Sequence, residues 1–174
     1  MDLRVVKTRK NIRDAFLELR ADNALGKIKV TQLCELAMIN KTTFYKHYQD
    51  IYALSEEIEN EIILSIMENF EHVNTLFTDP AGFIEELYFA FISHKDLIVI
   101  LFSERMDILI SKIEKMLLEQ YSGLSVTPEK QILMEFLLWG GSHILMESRF
   151  EEAVMLETIT KAAEEIIAII NVDG

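Results

Sequence analysis

The chain has 174 residues, enough for one large domain or for a small domain joined to a larger one, and half of them are apolar. It carries a formal net charge of −12, a single cysteine, no N-terminal stretch of signal-peptide type and no apolar run of the roughly 18 residues that a bilayer span requires. These features exclude an intramolecular disulfide and indicate a cytoplasmic protein that does not enter a membrane.

Apolar residues spaced three and four apart, with few prolines and glycines, predict an all-α fold of about nine helices. We expect the first helix at 5–22, where Ile12, Ala15, Phe16 and Leu19 share one face. Its other faces are rich in Lys and Arg. This helix should therefore bury one stripe and expose a basic surface.

Two short helices are predicted next. One is expected at 32–37 with Thr31 as its N-cap, and the other is opened by Asn40 and continues to Tyr48. Two short helices joined by a tight turn, with polar residues on the second, form the outline of a helix-turn-helix.

Longer helices make up the rest of the chain. Asp79 and Pro80 suit the start of a helix, as cap and first-turn residue. The expected helices are 51–73, 81–94, 96–103, 105–121, 128–149 and 152–171. We expect the chain to divide near residue 50, into residues 1–50 and 51–174.

Charge is distributed unevenly along the chain. The first fifty residues carry ten Lys and Arg against six Asp and Glu, a net charge of +4, which leaves −16 for the remaining residues. A basic head on an acidic body suggests that the head meets a polyanion while the body stays clear of it. A solvated surface explains the charge equally well, so the residues of the head must decide.

The segment 31–48 reads TQLCELAMINKTTFYKHY and resembles the DNA-binding signature of TetR-family transcriptional regulators. Its last six residues fit the family's Thr-x-Tyr-x-His-Phe/Tyr pattern, and Ala37 and Ile39 stand at the family's small and apolar turn positions. The resemblance covers about residues 8–54; beyond them only helix number and chain length agree. It implies a homodimeric regulator, typically a repressor, that binds a palindromic operator in double-stranded DNA. On this resemblance, residues 1–50 would form the DNA-binding domain and residues 51–174 an all-helical domain for effector binding and dimerisation.

Helical spacing predicts which side chains of this segment face outward. Phe44 and Tyr48 lie four residues apart and share one face, which should pack into the core. The opposite surface then presents side chains that can donate hydrogen bonds to bases or phosphates, as a major groove requires. Taken singly, each of them could be an ordinary surface residue. The outward set is Lys41, Thr42, Tyr45 and Lys46.

The resemblance implies a role for each polar residue of the head. Tyr45 and His47 would contact phosphates, and Thr42, Thr43 and Lys46 would lie nearest the bases. The first helix would add a phosphate contact through Thr8 or Lys7, and the second through Thr31. The full set of expected DNA contacts is Thr8, Thr31, Lys41, Thr42, Thr43, Tyr45, Lys46 and His47.

Two positions depart from the family pattern. Met38 stands where the family usually has glycine, because the turn favours a left-handed backbone there. Ile51 stands where a lysine often begins the fourth helix. We expect a small strain at Met38 and one missing phosphate contact at Ile51, which would lower DNA affinity and its salt dependence.

The resemblance also implies that the last two helices form a dimer interface. The eighth helix is unusually apolar, and its adjacent glycines cost roughly 1 kcal/mol each relative to Ala unless another helix approaches closely. A buried kink in a monomer is the alternative. The expected interface residues are Trp139, Gly140, Gly141, Ile144, Ile159, Ala163, Ile166 and Ile167.

The resemblance implies an effector pocket among helices four to eight, and the eight methionines are compatible with a small apolar effector and equally with none. For any single candidate, ordinary core packing is the favoured interpretation. The candidates are Phe70, Tyr88, Phe91, His94, Phe102, Met106, Tyr121, Phe136 and His143.

The sequence gives no support for an enzyme. Ser142 and His143 are adjacent and would point about 100° apart on a helix, so they cannot form a nucleophile–base pair. Neither a phosphate-binding glycine loop nor a metal-ligand spacing occurs, so we expect no cofactor and no metal. Two alternatives to a regulator remain open: a co-regulator acting mainly through a protein partner, and a helical carrier of small molecules.

Overall fold

A computed structural model describes residues 3–68, 75–121, 127–147 and 149–172. Within these ranges the protein consists of nine α-helices and one 3-10 turn, without a strand, which confirms the all-α prediction. None of these helices is long and apolar enough to cross a membrane. The helices are α1 Leu3–Asp22, α2 Val30–Leu36, α3 Lys41–Tyr45, α4 Ile51–Glu68, α5 Pro80–Ser93, α6 Lys95–Phe102, α7 Met106–Tyr121, α8 Pro128–Glu147 and α9 Glu152–Val172; the 3-10 turn is Leu25–Lys27.

Side-chain caps fix the beginnings of several helices. The Asp79 carboxylate accepts a hydrogen bond from the Gly82 amide at 3.0 Å, with Pro80 in the first turn, as predicted. Asp50 caps α4 in the same way through the Ala53 amide at 2.8 Å. These caps explain why α4 and α5 begin where polar residues interrupt the apolar pattern.

The start of α2 differs from the prediction. Thr31 is the second residue of α2 and not its N-cap; the N-cap is Lys29, which has an extended backbone. The Lys29 amide donates to the side-chain oxygen of Gln32 at 3.3 Å. A glutamine three residues into the helix thus stabilises an N-terminus that carries no Ser, Thr, Asp or Asn at the cap.

The chain folds into two compact units. Unit 1 comprises Met1–Leu64 and Asp96–Arg105. Its core contains large side chains that are completely buried, because α1 packs on α2 and α2 on α3. The predicted functional division at residue 50 follows a different criterion and stays a prediction. The largest buried side chains of unit 1 are Ile12, Phe16, Leu33, Phe44, Leu54, Ile58, Ile63 and Phe102.

Unit 1 also has a polar interior. Arg105, which follows α6, forms an ion pair with the buried Glu59 of α4, and Ser55 donates to the same carboxylate oxygen at 2.6 Å. The buried Arg20 of α1 donates to the backbone oxygen of Leu101 at 3.4 Å. Since a buried charge is costly without partners, these contacts hold α6 against α1 and α4.

Unit 2 comprises Ser65–Lys95 and Met106–Gly174. Within it α9 packs on α5 and α8, and α8 also packs on α7. The buried residues of α9 lie eight and four positions apart, at Met155, Ala163 and Ile167. This spacing is that of an amphipathic helix with one face in the core.

Candidate nucleic-acid interface

The turn between α2 and α3 is a Schellman motif with an unusual residue in its left-handed position. The Ile39 amide donates to the backbone carbonyl of Cys34 at 2.9 Å, and the Met38 amide donates to the backbone carbonyl of Glu35 at 3.2 Å. Met38 has φ 55° and is, among the described residues, the one non-glycine with positive φ. Its side chain is 90% exposed. The strain expected at this position is therefore present, and no packing offsets it.

Asn40 caps α3, as predicted. Its side-chain oxygen accepts hydrogen bonds from the Thr43 amide at 2.7 Å and from the Thr43 hydroxyl at 3.0 Å. The helix itself is short and ends at Tyr45, three residues earlier than expected. Thr43 is therefore part of the cap, and its hydroxyl proton already has an acceptor within the protein.

The side chains of α3 and of the three residues after it divide between core and solvent as the spacing predicts. Phe44 and Tyr48 are buried, whereas Lys41, Thr42, Tyr45 and Lys46 are exposed. Tyr45, the residue expected to meet phosphate, is 56% exposed. Thr43 and His47 are half-buried at the edge between the two faces. Six of the expected contact residues thus lie together on one short segment.

Tyr48 connects this segment to α1 and α4. Its hydroxyl donates to Glu57 at 2.7 Å, and the same carboxylate pairs with Arg9 at 2.6 Å. The Arg9 guanidinium lies 5.8 Å from the centre of the Tyr48 ring. Burial, reinforced by the hydrogen bond to Glu57, raises the pKa of Tyr48 to about 12. These contacts fix the rotation of the exposed face relative to α1 and α4.

The structure reduces the number of basic residues that DNA could meet. Arg9 and Arg13 pair with Glu57 and Glu61 of α4, and Lys10 pairs with Asp14. The five lysines that remain are exposed and form no ion pair within the described residues. They are Lys7, Lys27, Lys29, Lys41 and Lys46.

Two expected phosphate contacts lie differently from the prediction. Thr8 is in the second turn of α1, where its hydroxyl donates to the Arg4 carbonyl at 2.8 Å. Thr31 is half-buried inside α2, because Lys29 occupies the cap. Lys29 was not predicted as the capping residue, although Gln32 three residues later was a signal for the cap.

The expected dimer face is partly exposed and partly used inside the protomer. Trp139 is 42% exposed, whereas Ala163 and Ile167 are buried within unit 2, so these two expected interface residues are not available to a partner. Gly140, Gly141, Ile144, Ile159 and Ile166 are half-buried.

The most exposed apolar residues of α8 were not expected in the interface. Ile132 is 65% exposed and Phe136 is 62% exposed, and with Trp139 they follow the i, i+4, i+7 spacing of one helix face. We call Ile132, Phe136 and Trp139 the α8 stripe. Phe136 had been assigned to the effector pocket, and its exposure corrects that assignment.

The expected pocket residues do not line one cavity. Unit 2 contains an apolar cavity bounded by α5, α7, α8 and α9, and of the candidates that the structure describes only Tyr88 and Phe91 line it. Phe102 is buried in unit 1, and His94 contacts Ser65 at 3.1 Å and the Ala90 carbonyl at 2.8 Å.

The other pocket candidates divide as follows. Met106 is half-buried away from this cavity, and His143 is exposed. Phe70 lies outside the described residues, as does the side chain of Tyr121. The periodicity could not locate the cavity because all of these positions satisfy an amphipathic helix equally well.

No protein-family profile matches this chain, and no characterised protein matches it in sequence. The interpretation of the site therefore depends on its own residues and geometry.

Proposed function

We propose that this protein is a TetR-type, sequence-specific DNA-binding regulator that acts as a dimer, typically as a repressor. The observation that carries the proposal is the exposed face of α3. There Lys41, Thr42, Tyr45 and the C-cap residue Lys46 project to solvent, and Phe44 on the opposite face is completely buried.

In this proposal α3 enters the major groove. The Lys46 ammonium and the Thr42 hydroxyl and methyl meet base edges, and the Tyr45 hydroxyl donates to a phosphate. The exposed lysines around α3 neutralise further phosphates, so affinity should fall steeply with salt. The Tyr48–Glu57–Arg9 contacts support this geometry because they fix how far α3 can rotate.

The α8 stripe supports the dimer. A row of one tryptophan, one phenylalanine and one isoleucine open to solvent on a single helix is unfavourable unless a partner covers it. A second copy of the chain would cover it with the same face by two-fold symmetry. Such a dimer presents two α3 helices to DNA and so requires a palindromic operator.

The test is selection of sheared genomic DNA by the purified protein, followed by sequencing, beside Tyr45→Ala. We expect a few palindromic sites that disappear with the variant while its circular dichroism is unchanged. Lys46→Ala should weaken binding and lower the slope of log K against log salt by about one. Lys115→Ala, at an exposed position of α7, is the control and should change neither.

Equal selection by the native protein and Tyr45→Ala would refute the recognition role of α3. It would favour the co-regulator, which acts mainly through a protein partner. The observations that favour it are the strained Met38 and the buried Ile51, which offers no phosphate contact.

A further inference from the structure

A groove lies between the end of α1 and the end of α6, and both of its walls belong to unit 1. Its volume is about 250 Å³. One wall is residues 20–24, and the other is Val99, Ile100, Ser103 and Glu104. None of the residues assigned above to DNA, to the α8 stripe or to the cavity of unit 2 lines the described part of this groove. It is therefore separate from the surfaces that the proposed function uses.

Arg20 supplies a buried positive charge to the groove. It is 4% exposed, and its guanidinium donates to the Asn23 carbonyl at 2.9 Å and to the Leu101 carbonyl at 3.4 Å, so it joins the two helix ends that form the walls. A guanidinium has five N–H donors, and the buried Nε of Arg20 has no hydrogen-bond partner among the described residues. Since a buried donor without an acceptor is unfavourable, an acceptor in the groove would gain binding energy from Arg20.

The rim of the groove carries the opposite charge. Asp22 and Glu104 are exposed, and neither carboxylate forms a hydrogen bond or an ion pair within the described part of the chain. Burial lowers the pKa of Arg20, and the Glu104 carboxylate opposes this shift, so Glu104 is near enough for its charge to act on Arg20 without pairing with it. The last carbonyls of α1 and α6 add partial negative charge at the same ends.

This arrangement disfavours a ligand that carries a single charge. An anion approaching Arg20 would meet the two rim carboxylates, and a cation would be repelled by the buried guanidinium. A zwitterion satisfies both groups, because its carboxylate can accept from Arg20 while its ammonium group donates to Glu104 or Asp22. Val99 and Ile100 in the wall suit an aliphatic side chain between the two charges and solvent.

We propose that this groove binds a free aliphatic α-amino acid of about the size of leucine. The volume of about 250 Å³ exceeds the roughly 150 Å³ of an engineered cavity that takes benzene, so a ligand of this size fits. The α-carboxylate accepts hydrogen bonds from Arg20, and the α-ammonium group pairs with Glu104. An effect of the ligand on DNA binding rests on the proposed function, whereas the binding itself does not.

The test is isothermal titration calorimetry on the full chain without DNA, with three probes. L-Leucine carries both charges, 4-methylpentanoate lacks the ammonium group, and 3-methylbutylamine lacks the carboxylate. We expect L-leucine to bind at one site per chain. Each single-charge probe should bind at least about tenfold more weakly, because it leaves one side of the groove without its partner.

Glu104→Gln tests the ammonium side separately. It keeps the size of the side chain and removes its charge, so the Kd of L-leucine should rise about tenfold, whereas the Kd of 4-methylpentanoate should not rise. A merely structural effect would weaken both probes. Glu56→Gln, at an exposed glutamate of α4 that does not line the groove, is the matched control and should change neither Kd. Ser103→Phe, at an exposed residue of the wall, should fill the groove and abolish binding of L-leucine.

Three results would overturn the proposal: no binding of L-leucine, equal binding of L-leucine and either single-charge probe, or undiminished binding of L-leucine in folded Glu104→Gln and Ser103→Phe. DNA selection without leucine tests the regulator separately. A protein that binds leucine but no DNA retains the site, whereas one that binds DNA but no leucine retains only the proposed function.

Discussion

The helix-turn-helix segment of unit 1, residues 31–48, and the cavity of unit 2 depend on contacts of very different range along the chain. In the segment, the Asn40 side chain accepts a hydrogen bond from the Thr43 amide, and the Cys34 carbonyl accepts one from the Ile39 amide. Both of these contacts join residues no more than five positions apart. The cavity instead joins residues from Phe83 to Ile159, on four helices. Local contacts make a surface that a sequence pattern describes well, whereas distant contacts make a volume that a pattern does not describe.

The largest effect is expected from a change on the surface of unit 2 and not in its interior. Phe136→Ser removes the centre of the α8 stripe and should raise the dimer Kd at least 30-fold, about 2 kcal/mol, because aromatic anchors dominate interfaces. Sedimentation equilibrium measures this. Phe89→Ser, at an exposed phenylalanine of α5, is the control and should leave the dimer intact. A dimer indifferent to both changes would mean that the α8 stripe is not the interface.

Tyr48→Phe tests whether the core of unit 1 depends on its polar contact. The pKa of Tyr48 is about 12 in the folded protein against about 10 in an unfolded chain. Between these values the unfolded chain loses the proton that the folded protein keeps, so stability should fall by about 1.4 kcal/mol per pH unit from pH 10 to 12. In Tyr48→Phe, urea unfolding between pH 10 and 12 should not show this loss in the free energy of unfolding.

Glu57→Gln refines the same experiment. It removes the carboxylate charge and keeps an acceptor, so the pKa of Tyr48 should fall and the loss of stability should stop below pH 12. An alkaline limb identical in the native protein and both variants would contradict the role of this contact.

Met38→Gly should have the smallest effect on the free energy of unfolding, and it should stabilise the protein. Glycine adopts positive φ without the steric cost that a Cβ brings, and removal of the exposed Met38 side chain loses no packing contacts. We expect a gain of about 0.5–1 kcal/mol in the free energy of unfolding. Met38→Ala retains the Cβ and should give no such gain. A destabilised glycine variant would show that the Met38 side chain contributes to the turn.

Sequence patterns predicted the elements of unit 1 because each depends on neighbours in the chain. The buried face of Phe44 and Tyr48, the cap at Asn40 and the strain at Met38 all follow from spacing and backbone chemistry. The error at Thr31 has the same origin: a good capping residue was favoured over Lys29, whose cap depends on Gln32.

Elsewhere the prediction was limited because tertiary packing decides which residues meet. Spacing put both Phe136 and Ala163 on apolar faces, but it could not tell which face would meet solvent and which would meet a neighbouring helix. Nor could it show that Arg9 and Arg13 would be neutralised by glutamates almost fifty residues later. Only the folded chain pairs such positions.

The ion pair between Glu59 and Arg105 has a consequence for biosynthesis. Unit 1 takes its last segment, Asp96–Arg105, from beyond a stretch that belongs to unit 2. Until the ribosome has released Arg105, the buried Glu59 carboxylate lacks its guanidinium partner, and the first helices to emerge have an incomplete core. Unit 1 therefore cannot be completed until residues 96–105 have emerged, and a fragment that stops at Leu64 should not reproduce it.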